Sequence, residues 1–388
     1  MNTEKLYSFV SAMNRKSASM PERIRPWTSE YKEIPRAIIL SGLRGVGKST
    51  FLFHHAKNKK ILYFSADNPL TSDENLYEMC SFIFMQGFEG VIIDEVHFAK
   101  DWSKCLKALY DDFPDKIIWT SDSSSIVLRE ANADLSRRFV RIKMPLMSFR
   151  EFIFLETGTV FSKWIFGSDK LPCKPDSKTL SLFTEYRAHG TRPFYTEGNY
   201  EDKVLSLLDK TLYSDVPFFL PQITDSNLRL MKAVVATLAN SNIPRIEVRK
   251  LCSNWAIGSE KLYSLLNVME SVGVFKIIRF ENEKKANTVG AKFFFADPCM
   301  YRILSGDEGT EREAFSVMCF NMAGCSAEAS RDETKGDFLI SFPKEKNKIT
   351  VEVGGKNKKK KNADYVLRDN TDYPTLNGIP FWLLAMMW

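Results

Sequence analysis

Residues 42–49 read Gly-Leu-Arg-Gly-Val-Gly-Lys-Ser and fit the pattern G-x-x-x-x-G-K-S/T. In such a loop Gly42, Gly45 and Gly47 let the backbone curl so that its N–H groups point at phosphate oxygens. A helix starting where the loop ends adds the positive end of its dipole. Phosphate contacts are therefore expected from Gly42, Gly45, Val46, Gly47, Lys48, Ser49 and Thr50. The Lys48 ammonium suits the β- and γ-phosphates, and the Ser49 hydroxyl suits Mg²⁺. A second group lies at 90–95, Gly-Val-Ile-Ile-Asp-Glu, an apolar run that ends in two carboxylates. Asp94 suits the Mg²⁺ shell, reached through water, and Glu95 suits polarising an attacking water. An adjacent acidic pair in this place favours hydrolysis over phosphorylation of a small molecule. A third strand end, Thr120-Ser121-Asp122, offers hydroxyls that would either sense a γ-phosphate, with Thr120 as one candidate, or cap a helix. In Asp134-Leu-Ser-Arg-Arg-Phe139 one of Arg137 and Arg138 is a candidate for neutralising γ-phosphate charge, from the same chain or a neighbouring subunit, with solvated surface arginines as the plainer alternative.

These side chains need elements to position them. The apolar run at 36–41 reads as a buried strand, and 49–56 carries no breaker and continues as a helix. With a further strand at 61–64, strands alternate with helical stretches over 36–152, which predicts an α/β parallel sheet with helical crossovers. Strand ends of such a sheet collect beside the phosphate loop. Residues 1–35 read as an adaptor segment, broken at Pro21 and Pro26, with a place beside the nucleotide base as one option. The chain has 388 residues, 44% hydrophobic and 26% charged, long enough for two or three globular domains. A net charge of +6 is compatible with nucleic acid without pointing to it. The seven cysteines are scattered, odd in number and without a C-x-x-C pair, which fits reduced thiols in a cytoplasmic protein and argues against a zinc or disulfide framework. No run approaches membrane-spanning length, no signal peptide is recognisable, and residues 380–388 are expected to end in a buried strand.

From residue 42 to 152 the sequence resembles AAA-type P-loop ATPases of archaea and bacteria. The resemblance rests on the loop, Asp94-Glu95, the nearby Trp102, Thr120-Ser121-Asp122, Arg137-Arg138 and the run Pro-Leu-Met-Ser-Phe-Arg-Glu-Phe at 145–152. It implies ATP and Mg²⁺ as ligands, Lys48 and Glu95 as catalytic groups, Ser49 and Asp94 at the metal. It places the family's Gly-Arg arginine on Arg138, with Arg137 where the family has glycine. His97, after the acidic pair, is expected as a packed or capping residue.

Farther on, 153–225 reads as a helical lid or linker in which residues 183–193 are similar to the family's Tyr-x-x-x-Gly-Gly-x-Pro segment, and Arg192 is a candidate second sensor. Residues 226–300 have the element order of a winged helix-turn-helix, with Ser259 as the expected cap of its recognition helix. If it reads DNA, Lys261, Tyr263 and Ser264 face the groove, and Lys284 and Lys285 sit on the wing. Residues 307–388 resemble the restriction-endonuclease-like domain of family members. That domain implies a helical Glu (Glu311 or Glu313), Asp337, and Glu352 in a Glu-x-Lys motif around Mg²⁺. Here Gly354 stands in the lysine's place, so the metal site is expected to be degenerate. The basic stretch 356–361 is either a solvated loop or a contact to nucleic-acid backbone. The reading that follows is an ATP-hydrolysing molecular switch that couples nucleotide state to the C-terminal modules, with DNA, a protein partner or a homo-oligomer as candidate associations. The alternatives are a DNA-binding protein in which ATP only sets conformation, and a Mg²⁺-dependent nuclease with a diverged site.

Overall fold

The computed structural model describes residues 3–71, 73–124, 135–220, 225–242, 245, 248–281, 292–332 and 334–388. The chain falls into two compact units, Met1–Pro145 and Leu146–Trp388. Among the described residues no helix is long and apolar enough to cross a membrane. Asp134, Ile246, Lys284 and Lys285 lie outside the described residues.

The first unit opens with α1 (Thr3–Ala18) and the short α2 (Pro26–Glu30), then β1 (Ala37–Ser41), α3 (Lys48–Ala56), β2 (Ile61–Ser65), α4 (Leu76–Met85), β3 (Gly90–Asp94), α5 (Trp102–Asp112), β4 (Ile117–Asp122) and β5 (Val140–Lys143). The strands form one sheet in the order β2-β3-β4-β1-β5, every neighbouring pair parallel. β1 is buried along its whole length, as an interior strand of a parallel sheet must be when both faces are covered. Strand order matters more than strand count here. Because β4 pairs with both β1 and β3, the loop after β1 and the carboxylates after β3 flank the hydroxyl-rich end of β4. Two glycines permit the close packing this needs. A Cβ at Gly90 would stand 2.5 Å from Ile117 on β4, and one at Gly42 would stand 2.6 Å from the Met144 carbonyl oxygen.

The second unit begins with α6 (Phe149–Thr157), held by a full capping box between Ser148 and Glu151. α7 (Ser177–His189) and α8 (Tyr200–Lys210) follow. Then come α9 (Asp225–Asn240), α10 (Val248–Trp255), α11 (Ser259–Ser271) and an antiparallel hairpin of β6 (Phe275–Ile278) and β7 (Lys292–Phe295). Gly258, not Ser259, is the N-cap of α11; Ser259 is the first helical residue, because the chain becomes helical one position earlier than its side chain implied. At the other end Gly273 takes φ 80°, and the Val274 and Gly273 N–H groups donate to the Met269 and Glu270 carbonyls, a closure that needs a residue free to turn left-handed. The last part holds α12 (Glu308–Met322), capped by Asp307, on a sheet of β8 (Ser326–Ala329), β9 (Phe338–Ser341), β10 (Lys348–Gly354), β11 (Tyr365–Arg368) and β12 (Gly378–Pro380). Its order is β12-β11-β10-β9-β8, antiparallel from β8 to β10 and parallel from β10 to β12.

The C-terminal run departs from the strand expected of it. Only Gly378–Pro380 is extended, and Phe381–Leu384 forms a helical turn, α13. Residues 381–386 are buried without alternation, a pattern that a buried strand and a buried helical turn share. The Phe381 ring stacks on Phe315 of α12 at 5.4 Å, and Pro380 opens the turn with its fixed φ.

Deep in this unit Arg187 of α7 donates to Glu311 of α12 at 2.8 Å and to Asp369 at 2.7 Å, with all three side chains at most 5% exposed. Such a cluster is costly to break, because removing the central cation leaves two buried carboxylates with one arginine each, Glu311 with Arg302 and Asp369 with Arg312. Arg187→Ala should therefore lower unfolding free energy by about 3–5 kcal/mol, read as an earlier urea midpoint. Lys104→Ala, which deletes a pair whose lysine is 77% exposed, should leave the midpoint in place.

Candidate functional site

The loop after β1 is shaped by Gly45 (φ 78°) and Gly47 (φ 100°), left-handed positions that side chains avoid, and Gly47 serves as the N-cap of α3. Val46 is wholly buried, and its carbonyl accepts from Arg25 at 2.9 Å, so the segment before β1 braces the loop. That segment also packs Trp27 and Tyr31 against Phe51 on α3. Lys48 is 7% exposed and donates to the carbonyls of Gly42 (2.8 Å) and Leu43 (3.2 Å). Burial holds its ammonium below the usual lysine range, against the upward pull of Glu95, Asp94 and Asp122. Ser49 and Thr50 are half-buried at the start of α3.

Asp94 collects the site. Ser49 Oγ donates to its Oδ2 at 3.0 Å and Tyr63 OH to the same oxygen at 2.9 Å, while Ser121 Oγ donates to Oδ1 at 2.5 Å. Lys16 of α1 in turn donates to Tyr63 OH at 2.7 Å. A hydroxyl and a carboxylate side by side are the hard oxygen donors that Mg²⁺ prefers, so the residues fit the ion the sequence implied. Glu95 takes φ 48° and turns away from the strand; Arg44 holds its Oε1 at 2.9 Å and Ser123 Oγ holds its Oε2 at 2.8 Å. Burial pushes the Glu95 carboxyl up, opposed by Lys48 and Arg44. A raised carboxyl is a better proton acceptor near neutral pH, which suits activation of water. Behind it His97 Nδ1 bonds Asp122 Oδ2 at 2.6 Å with both side chains fully buried, so His97 is packed, as expected.

Three expected residues stand elsewhere. Thr120 is completely buried and donates to the Ile38 carbonyl of β1 at 3.1 Å; it does not face the loop. The polar groups that serve the site from this strand end are Ser121 and the next residues, Asp122 and Ser123. Arg138 makes a two-pronged bond to Asp111 of α5, 2.8 Å on each arm; Arg137 is exposed. Arg192 belongs to the second unit, where it is bound to Asp297. Sequence reasoning missed Arg44, Tyr63 and Ser123. Arg44 occupies a variable position of the loop pattern, and Tyr63 reads as one more apolar strand residue.

In the second unit, Glu311 is bound by Arg187 and by Arg302 at 3.0 Å. Glu313 pairs with Lys292 at 2.7 Å, and Asp337 accepts the Val353 N–H at 2.7 Å. Burial pushes the Glu313 carboxyl up, opposed by Lys292.

Residues 35–153 match the family model described as an AAA domain. An uncharacterised protein of Methanocaldococcus jannaschii is 30% identical over 279 residues, which cover 64% of this chain and 58% of that protein. The chain thus spans less than two thirds of that relative. An uncharacterised protein of Haemophilus influenzae is 22% identical over 304 residues, 72% of each chain. Among solved structures, the Walker-type ATPase of Pyrococcus abyssi is similar with a TM-score of 0.42 and 13% identity, covering 71% of this chain and 93% of that one.

Tyr63→Phe removes one donor from Asp94 and cuts the link to Lys16. The expected result is about a fivefold rise in the Mg²⁺ needed for half-maximal nucleotide turnover, the equivalent of one hydrogen bond. Nucleotide affinity measured without Mg²⁺ should stay unchanged. A shift in both would mean that the hydroxyl only supports the fold.

Proposed function

We propose that the protein is an ATP-binding, Mg²⁺-dependent ATP hydrolase acting as a molecular switch. One observation carries the reading: the Ser49 hydroxyl lies 3.0 Å from Asp94, with Glu95 next in the chain and Lys48 at the head of the same helix. The loop N–H groups and Lys48 bind and orient the β- and γ-phosphates. Ser49 and Asp94 hold the Mg²⁺, which when bound offsets charge on the phosphates. Glu95 orients the attacking water and accepts its proton. For that, Glu95 must exchange its bonds to Arg44 and Ser123 for one to water, so these two residues set when the carboxylate is available. Arg138 remains a candidate finger toward a neighbouring subunit, where it would have to leave Asp111.

Residues 226–300, with three helices followed by a hairpin, are read as a winged helix whose Lys261 and Ser264 are exposed. Residues 307–388, a mixed sheet carrying α12, are read as a nuclease-like module. Nucleotide state would then bias how these modules engage a macromolecular partner, for which duplex DNA is the first candidate.

The test is ATP turnover by the wild type, Glu95→Gln and Lys48→Ala, each with and without duplex DNA. Glu95→Gln should lower turnover about 10²–10⁴-fold while leaving ATP binding intact, and Lys48→Ala should weaken binding itself. Unchanged turnover in Glu95→Gln would sink the hydrolase reading. Turnover indifferent to DNA would move the partner from nucleic acid to protein.

A further inference from the structure

The loop at 42–49 carries one arginine, Arg44, and its side chain is turned into the site: only 11% of it is exposed. Its NH1 lies 2.9 Å from Glu95 Oε1, so it reaches from the loop after β1 to the residue that follows β3. The other oxygen of Glu95 is met from the end of β4, by the Ser123 hydroxyl at 2.8 Å and the Ser123 N–H at 3.2 Å. The backbone beside Arg44 is held from behind. Val46 is wholly buried, and its carbonyl accepts from Arg25, which also donates to the Pro145 carbonyl. On a loop braced in this way, Arg44 can change partners by rotating its side chain while the backbone stays in place.

Lys48 is the other cation of this loop, and its Nζ sits on the Gly42 and Leu43 carbonyls, the two residues before Arg44. Two positive side chains on one short loop repel each other, and an anion bound by the loop relieves that repulsion. The arginines first suspected of meeting the phosphate are placed otherwise: Arg138 is committed to Asp111 and Arg192 to Asp297. Arg44 is instead paired with the carboxylate next in the chain to Asp94. That pair can be outbid. A terminal phosphate carries more charge than a carboxylate, and a guanidinium fork matches its oxygens two at a time.

We propose that Arg44 is a catalytic residue, a same-chain arginine that leaves Glu95 for the γ-phosphate of ATP. One side-chain movement then does two things: it sets positive charge against the phosphate, and it frees the carboxylate to orient water. The inference rests on the hydrolase reading above. In the step, the water oxygen forms a bond to the γ-phosphorus, and the bond from that phosphorus to the bridging oxygen breaks. ADP leaves with the electron pair, and Glu95 takes the proton of the water. Arg44 makes and breaks no covalent bond; it meets the charge on the γ-phosphate oxygens during transfer. The step does not require Arg138 to leave Asp111.

The experiment pairs turnover with binding on the full chain. Arg44→Ala should hydrolyse ATP at least about 10²-fold more slowly than the wild type, because an arginine at a transferred phosphoryl group is worth about 10³–10⁵ and the freed Glu95 offsets part of the loss. Binding is read by calorimetry in Mg²⁺, with ADP and with the slowly hydrolysed β,γ-imido analogue of ATP, in a Glu95→Gln background where no carboxylate competes for the arginine. There Arg44→Ala should weaken the analogue about tenfold, the loss of one charged hydrogen bond, and leave ADP unchanged. Arg44→Lys, which keeps the charge without the fork, should fall between, and it covers the case in which the alanine variant does not fold. Turnover in Arg44→Ala as fast as in the wild type, or faster, would mean that Arg44 only restrains Glu95. An equal loss for ADP and the analogue would make it a brace of the loop. Either result overturns the proposal. A wild type that does not hydrolyse ATP sinks the hydrolase reading instead, and the comparison of ADP with the analogue still decides whether Arg44 meets the γ-phosphate.

Discussion

A carboxylate at the end of a buried strand must be matched by donors, and that requirement organises the first unit. Asp94 and Glu95 stand at the end of β3, and their oxygens are met from neighbouring strands, the loop and the start of α3. The strand order supplies the partners: Ser121 and Ser123 from the end of β4, Tyr63 from β2, and Ser49 from the first turn of α3. Each bond is ordinary, about 1 kcal/mol or somewhat more for a charged acceptor. Together they fix two carboxylates in different settings, one held beside the Ser49 hydroxyl and one carried on a left-handed backbone to Arg44 and Ser123.

The same requirement explains why the site is poised rather than open. Lys48 donates to two loop carbonyls, and Glu95 is bound on both oxygens. A phosphate arriving at Lys48 exchanges one set of bonds for another, so its net gain is smaller than a count of new contacts suggests. Charge decides the exchange, since a phosphate oxygen is a stronger acceptor for a buried ammonium than a peptide carbonyl. Glu95 differs, because its competing partner Arg44 sits on the loop itself. Any movement of the loop around phosphate also moves the group that restrains the Glu95 carboxylate.

Much of this was legible in the sequence because it is local. The loop pattern, the apolar run ending in Asp94 and Glu95, and the alternation of strands and helices each depend on residues within a few positions of one another. What escaped depends on which strands become neighbours. Thr120 and Ser121 look equivalent as a pair of hydroxyls, yet pairing of β4 with β1 gives the first to the Ile38 carbonyl, while the position of β3 gives the second to Asp94. Glu311 and Glu313 are alike in sequence, but two residues on a helix point about 200° apart, so one meets Arg187 and the other meets Lys292. The turn at 381–384 was misread because a short apolar run has no period to distinguish a buried helix from a strand.

The second unit repeats the problem of the first with a different solution. Glu352 is as buried as the residues around Glu95. Its positive charge comes instead from the turn that follows its own strand, through the gap that Gly354 leaves. A glycine in place of a lysine reads as loss when the motif is scanned along one strand. In three dimensions the charge has moved four residues down the chain, to Lys358, and returned to the same carboxylate. A lysine fixed on the strand neutralises its neighbour permanently. Lysines on a turn do so only while the turn stays folded against the strand, which converts a constant of the site into a variable.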